Sequence, residues 1–309
     1  MNLEPSNQIN LFNHDEIFNL FIKLNSQNRF PNKILLSGEK GIGKCTLAYH
    51  LINYILSSDE KNSYNSNNFQ INRENKSFKL ILNKSNPNFD LIDVSEEKKS
   101  IDISQIRNLI IKLNKSSFNS KPRFILIDNI EFLNTNSINA LLKTLEEPND
   151  KINFILINNN KKISPTLKSR CLNFKISMTF DQSVEVVSKI LNQNILNLVN
   201  NDLICHYSTP GTLLRLLHLI NELKLNEKDV NLREFLYLLI KEKHFKKESP
   251  FKDLLFSMIE LYFRNNISVN KIKLFNIYSS FLLKTNDMRK FNLDDESLLI
   301  EFERKVLNG

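Results

Sequence analysis

Residues 38–45, with the sequence GEKGIGKC, have the spacing of a phosphate-binding loop. They fit the pattern GxxxxGK and lie between a strand-like run, KILLS, and a helix-like run, KCTLAYHLINYIL, which is the context that such a loop requires. Glycines allow backbone N–H groups to turn towards phosphate oxygens, while a lysine and a helix N-terminus add positive charge. The residues that we expect to contact the phosphates are Gly38, Gly41, Gly43 and Lys44.

The residue after this lysine departs from the pattern. P-loop enzymes place a Ser or Thr hydroxyl there to bind Mg²⁺. This chain has Cys45 instead, and Mg²⁺ prefers oxygen ligands to sulfur. Thr46 follows, about 100° further round the predicted helix, so it is not expected to replace the hydroxyl simply. We therefore predict a site for ATP, with Cys45 and Thr46 beside it, in which Mg²⁺ binding is weak or absent.

A second pattern, FILIDNIE at residues 124–131, ends an apolar strand in Asp128. In P-loop ATPases such a Walker B aspartate holds Mg²⁺, and the next residue is usually a glutamate that polarises the attacking water. Here that residue is Asn129, which cannot accept a proton, and Glu131, two positions later, need not face the site. Alone, the segment is equally consistent with a core strand that ends in a polar residue; beside a P-loop it favours a Walker B strand.

The elements that must position these residues alternate along the first part of the chain. Strand-like runs fall at residues 33–37, 89–94, 123–128 and 153–158, and helical runs separate them. One of these helical runs, residues 135–147, repeats apolar side chains at helical spacing and is expected to stop at Pro148. The alternation predicts an α/β fold with a parallel sheet covered by helices on both faces.

Only helical runs follow after about residue 178. We therefore predict three domains: a P-loop α/β domain at residues 1–178, a small helical domain at 179–222 and a C-terminal helical domain at 223–309. Residues 57–77 are rich in Asn and Ser, so we expect a solvated loop or mobile insertion there, although a hidden nucleotide contact stays open as an alternative.

Composition narrows the classes of protein. The net charge is +8, which suits an acidic partner such as DNA but is equally consistent with solubility alone. Cys45, Cys171 and Cys205 are far apart and form no CxxC pair, so we expect no zinc site and no disulfide framework. No signal-peptide pattern or membrane-length apolar run occurs, and a cytoplasmic location is expected.

Residues 139–171, NALLKTLEEPNDKINFILINNNKKISPTLKSRC, closely resemble bacterial clamp-loader subunits of the AAA+ family. The parts that match are the helix ending in LEEP, the strand NFILIN and the triplet SRC. The N-terminal segment, residues 9–51, resembles the delta-prime branch of this family, and STPGTLLRL at residues 208–216 resembles its lid segment. The resemblance covers roughly residues 8–220, and it implies that the two helical domains are a lid and an oligomerisation collar.

The resemblance also implies roles for single residues. The SRC arginine of this family is an arginine finger that acts in trans on ATP bound by a neighbouring subunit, and here it is Arg170. Sensor 1 falls on Asn158 by position, with Asn159 as an alternative. Thr212 stands where related ATPases carry the sensor 2 arginine, and Arg215 lies three residues later. The cysteines of the zinc module found in some delta-prime subunits are missing, so zinc is not expected.

The predicted function is therefore that of a clamp-loader stator with little or no ATPase activity of its own. The implied partners are gamma/tau and delta subunits in a hetero-pentamer, the sliding clamp, and primer–template DNA, and no membrane. The alternative is an active ATPase of the gamma/tau type, against which Cys45 and Asn129 argue. An unrelated nucleotide kinase would need an arginine-rich lid, and the SRC segment argues against that.

Overall fold

The computed structural model describes residues 4–94, 100–114, 119–146, 151–226, 228–243, 249–267, 272–291 and 293–308. The chain divides into two compact units, Met1–Val186 and Val187–Gly309. The division of the helical part into a lid and a collar stays a prediction.

The first unit contains a five-stranded sheet in the order β2-β3-β4-β1-β5, and every neighbouring pair is parallel. Its strands are β1 (Lys33–Ser37), β2 (Phe89–Ile92), β3 (Arg123–Ile127), β4 (Ile152–Asn158) and β5 (Leu172–Lys175). Four of them confirm the predicted strands, whereas β5 was not predicted. Because all strands run the same way, their carboxyl ends lie at one edge of the sheet, where ligands bind in open α/β folds.

Helices cover both faces of this sheet. One apolar core includes the buried sides of α1 (Asp15–Ser26), α2 (Lys44–Leu56) and α3 (Lys76–Leu82), and the other includes those of α4 (Ile103–Leu113) and α5 (Thr135–Glu146). The short helix α6 (Pro165–Lys168) follows β4. The predicted helix at 135–147 is thus present as α5, while its expected stop at Pro148 lies outside the described residues.

The Asn-rich insertion is a loop, as predicted, but it is packed and not solvated throughout. Tyr64 and Ile71 are buried in the core beside α1 and α2. The Phe18 ring lies 5.2 Å from that of Tyr64 and 5.8 Å from that of Phe69. The many Asn residues of the insertion led to the prediction of a solvated loop. The burial of a few large apolar side chains instead determines the position of the loop.

His50, on α2, anchors this loop. Its Nε2 lies 3.1 Å from the Gln8 carbonyl oxygen and its Nδ1 lies 2.9 Å from the Tyr64 hydroxyl. A carbonyl can only accept, so Nε2 carries the proton and Nδ1 accepts from the hydroxyl. Burial lowers the pKa of His50 to about 4, the hydrogen bond to the Gln8 carbonyl opposes this shift, and the charge of His14 adds to it. The folded protein therefore keeps His50 neutral.

Acidification is expected to favour unfolding through His50. The unfolded chain takes up a proton on this residue near pH 6.5, whereas the folded chain does so only near pH 4. The contribution of His50 to stability is complete at pH 7 and falls by about 2 kcal/mol by pH 5. Urea unfolding at both pH values should show that His50→Gln removes this part of the pH dependence. An equal pH dependence in the variant and the parent would contradict it.

Helices make up most of the second unit, and α7 (Phe180–Leu191) leads into it. They are α8 (Pro210–Glu222), α9 (Leu232–Lys241), α10 (Ser249–Asn266), α11 (Ile272–Phe291) and α12 (Asp295–Phe302), which a π-helical turn, Glu303–Leu307, extends. Phe263 packs against Tyr278, Phe281 and Phe302 with ring centroids 4.8 to 5.9 Å apart. Within the described residues, no helix has both the length and the apolar character to cross a membrane.

Candidate nucleotide site and exposed arginine

The loop between β1 and α2 has the backbone of a phosphate cradle. Gly41 has a φ of 90° and Gly43 a φ of 88°, in the left-handed region that glycine adopts without strain. A Cβ at Gly38 would lie 2.3 Å from the carbonyl oxygen of Ile176, so only glycine fits there. Gly43 is the N-cap of α2, and the positive end of this helix therefore faces the loop. The spacing predicted glycines at these turns, and their contact with phosphate stays a prediction.

His14 contacts this loop at Ile42, and no sequence pattern predicted that contact. Its Nε2 lies 2.7 Å from the carbonyl oxygen of Ile42, so Nε2 must carry the proton. Burial lowers the pKa of His14, against the raising effect of the contact with Ile42, and the side chain stays neutral. A Cβ on Gly43 would lie 3.0 Å from the same nitrogen. His14 thus fixes the turn that carries both left-handed glycines.

Lys44 is buried at the start of α2. Its ammonium group donates to the carbonyl oxygens of Gly38, at 2.9 Å, and Glu39, at 2.5 Å. Burial lowers the pKa of Lys44 to about 8, and the charges of Asp128 and Glu131 oppose this shift. The group is therefore mostly protonated at pH 7, and it has one more N–H than these two acceptors use. That donor is what a phosphate oxygen would need.

The Cys45 thiol lies beside the Asp128 carboxylate, and each group shifts the pKa of the other. Burial, followed by the charge of Asp128, raises the pKa of Cys45 well above its usual range, so the thiol keeps its proton. Burial, followed by the charge of Asp93, raises the pKa of Asp128 to about 6. A thiol that keeps its proton, in place of a hydroxyl oxygen, is a poor ligand for Mg²⁺.

Metal ligands are not clustered elsewhere in the described part of the chain. Among those residues, no group of three or more His, Cys, Asp or Glu side chains could hold a metal ion. Thr46, which is half-buried as the third residue of α2, keeps only its predicted role.

A hydrogen-bonded network occupies the end of β3. Asn129 has a φ of 54° and donates from Nδ2 to Asp93 at 2.7 Å. Asn159 donates to the side-chain oxygen of Asn129 at 2.8 Å and to Glu131 at 2.9 Å. Glu131 therefore lies closer to the site than its sequence position indicated, but its carboxylate is held by Asn159. The amide of Asn129 replaces an acid within this network and cannot act as a base.

Asn158 and Asn159 can now be compared as sensor 1 candidates. Asn158 ends β4 with its side chain buried, and its Nδ2 donates to the carbonyl oxygen of Lys161 at 3.0 Å. Asn159 contacts Asn129 and Glu131, which follow Asp128 in the chain. The assignment stays a prediction, and the geometry places the alternative, Asn159, nearer to the Walker B residues.

Arg170 lies on the surface just after α6. Its Nε donates to Oε1 of Glu146 at 2.8 Å, its Nη2 donates to the same oxygen, and its Nη1 donates to the carbonyl oxygen of Thr166 at 2.8 Å. The side chain keeps 33% of its surface exposed, so part of the guanidinium remains accessible. Arg170 therefore forms a surface ion pair with Glu146, and the pair leaves part of the side chain open to a further ligand.

Thr212 and Arg215, the two residues considered for the sensor 2 position, lie in the second unit, on α8. Thr212 takes part in the start of the helix, because its N–H and hydroxyl both contact the hydroxyl of Thr209. Burial lowers the pKa of Arg215, and the carboxylate of Asp253 opposes this shift. Arg215 therefore lies close to an acidic partner within its own unit.

Comparison with known proteins identifies relatives of this chain. A family model described as DNA polymerase III, delta subunit, matches residues 13–179. The DNA polymerase III subunit delta' of Buchnera aphidicola subsp. Schizaphis graminum is 27% identical over 273 residues, which cover 84% of this chain and 80% of that protein. The gamma subunit of the same organism is 31% identical over 151 residues, covering 48% of this chain and 39% of that protein.

A solved structure shares the fold. The crystal structure of a DNA polymerase III gamma subunit-related protein from Thermotoga maritima superposes with a TM-score of 0.51 and 17% identity. The match covers 91% of this chain and 96% of that one. At this identity the likeness concerns the fold alone.

Proposed function

Since this chain belongs to the delta-prime family of DNA polymerase III clamp-loader subunits, which have the AAA+ fold, we propose that it lends Arg170 to ATP bound by a neighbouring subunit. The accessible guanidinium after α6 carries the proposal. Its planar fork suits phosphate oxygens and stabilises charge that develops on a transferred phosphoryl group. In this role the chain is a stator that helps to place the sliding clamp on primed DNA in the cytoplasm.

The chain's own nucleotide site also favours a subunit that binds ATP but does not hydrolyse it. The glycine loop and Lys44 provide what ATP binding needs, and His14 holds the loop in place. Hydrolysis also needs a placed metal ion and an oriented water, and the Cys45–Asp128 contact and Asn129 provide neither. We therefore infer that ATP binds without hydrolysis, with weak or absent Mg²⁺ and without zinc.

The alternative is an active ATPase of the gamma/tau type. Its strongest support is the intact phosphate cradle, which a non-hydrolysing subunit shares. Against it, Asn129 stands where the Walker B glutamate of an active ATPase would be, and its amide cannot act as a base. The stator therefore explains more of the structure than the enzyme does.

Assembly tests the proposal directly. Co-expressed with gamma/tau and delta subunits of its own source, the chain is expected to purify in one hetero-pentamer, and native mass measurement should show a single copy. The Arg170→Ala variant should enter the same complex, because the residue lies on the surface. Failure of the parent chain to join its sister subunits would contradict the proposal. We expect contacts with DNA only when the chain is part of the complex. The positive net charge of this chain favours such contacts.

A further inference from the structure

Glu146, on α5, is not held in place by burial, because its side chain is more than half exposed. The contact that it does make is with the guanidinium of Arg170.

The geometry of this contact leaves a defined part of the fork free. Arginine has five N–H donors, one on Nε and two on each Nη. Glu146 accepts from Nε and Nη2, and the Thr166 carbonyl accepts from Nη1. These contacts use three donors, and one N–H therefore remains on each of Nη1 and Nη2. These two donors are open to a further acceptor, such as a phosphate oxygen.

The stretch that carries Arg170 is basic. Residues 151–180 contain six cationic side chains and no Asp or Glu. Arg170, the arginine of the SRC triplet, is paired with Glu146 of α5, a carboxylate from outside this stretch.

We propose that Glu146 is a positioning residue for Arg170, and this rests on the proposed role of Arg170 as a finger. The carboxylate and the Thr166 carbonyl order the guanidinium before assembly, with its two remaining donors directed to the neighbour's phosphates. A side chain that is ordered beforehand loses less conformational freedom when it meets the transition state. Because the pair is exposed, the effect is moderate, about fivefold in rate.

The test is single-turnover ATP hydrolysis by the reconstituted complex at saturating ATP and primed DNA. Glu146→Gln keeps an acceptor oxygen but loses the charge, and it should lower the rate constant about fivefold while the concentration of ATP for half-maximal rate stays the same. Glu146→Ala should lower the rate constant at least as much. Glu222, the last residue of α8, offers a matched control, and Glu222→Gln should hydrolyse ATP at the parental rate.

A double variant separates positioning from a general structural effect. Glu146→Gln should add nothing further once Arg170 is alanine, because residues that act together are not additive. An equal additional loss in the Arg170→Ala background would overturn the positioning role, as would a faster reaction in Glu146→Gln, which would mean that Glu146 withholds the arginine. If Arg170→Ala itself leaves the rate unchanged, the finger proposal falls and this inference falls with it.

Discussion

Alanine in place of Arg170 is expected to slow ATP hydrolysis at the neighbouring subunit's site by about a thousandfold, the lower end of the range for arginine fingers. The guanidinium would neutralise charge on the phosphoryl group during transfer, and no other cation of this chain is expected to replace it. In the reconstituted complex, single-turnover hydrolysis should lose the phase that belongs to that site, while assembly and the remaining phases stay intact.

Two controls accompany this prediction. Arg107→Ala removes another exposed arginine, on α4, and should leave every phase unchanged. Arg170→Lys keeps the charge but loses the fork, so it should recover only a small part of the rate. Parental kinetics in the Arg170→Ala complex would contradict the proposed finger.

The isolated chain is expected to hydrolyse ATP several orders of magnitude more slowly than about one turnover per second, because both the metal hydroxyl and the Walker B glutamate are missing. Cys45→Thr combined with Asn129→Glu should not restore activity. A glutamate at position 129 would place a further charge among Asp93, Asp128 and Glu131 and would lose the amide that donates to Asp93.

Purified protein, freed of other ATPases, would be assayed for phosphate release with and without the double substitution. Lys44→Ala supplies the background, because it removes the cation of the phosphate cradle. A rate near one turnover per second that Lys44→Ala abolishes would favour the gamma/tau-type ATPase over the stator.

Local patterns were enough to predict four strands of the sheet and the glycine-rich turn between β1 and α2. Each strand is a run of apolar residues with a clear beginning and end, and the cradle has both a motif and its context. The fifth strand, β5, was missed because it is a short edge strand whose residues are mostly exposed, so it lacks the apolar run that reveals a buried strand. It exists because its backbone pairs with β1.

Contacts between distant residues could not be predicted in the same way. His14 supports the loop through a carbonyl 28 positions later, and a single histidine carries no spacing from which this could be inferred. The choice between Asn158 and Asn159 depends on which side chain faces the site at the end of β4. Adjacent residues of a strand point to opposite faces, so an uncertainty of one residue in alignment changes the assignment.

The burial of Tyr64 joins the Asn-rich insertion to the folding of the whole P-loop unit. Its ring packs on Phe18, while its hydroxyl is bound by His50. Local unfolding of this loop would expose the aromatic side of the core to water, so it cannot open at the low free-energy cost usual for polar surface loops. The segment therefore belongs to the same cooperative unit as α1 and α2. Deleting it on the ground that its composition is polar would remove part of that unit.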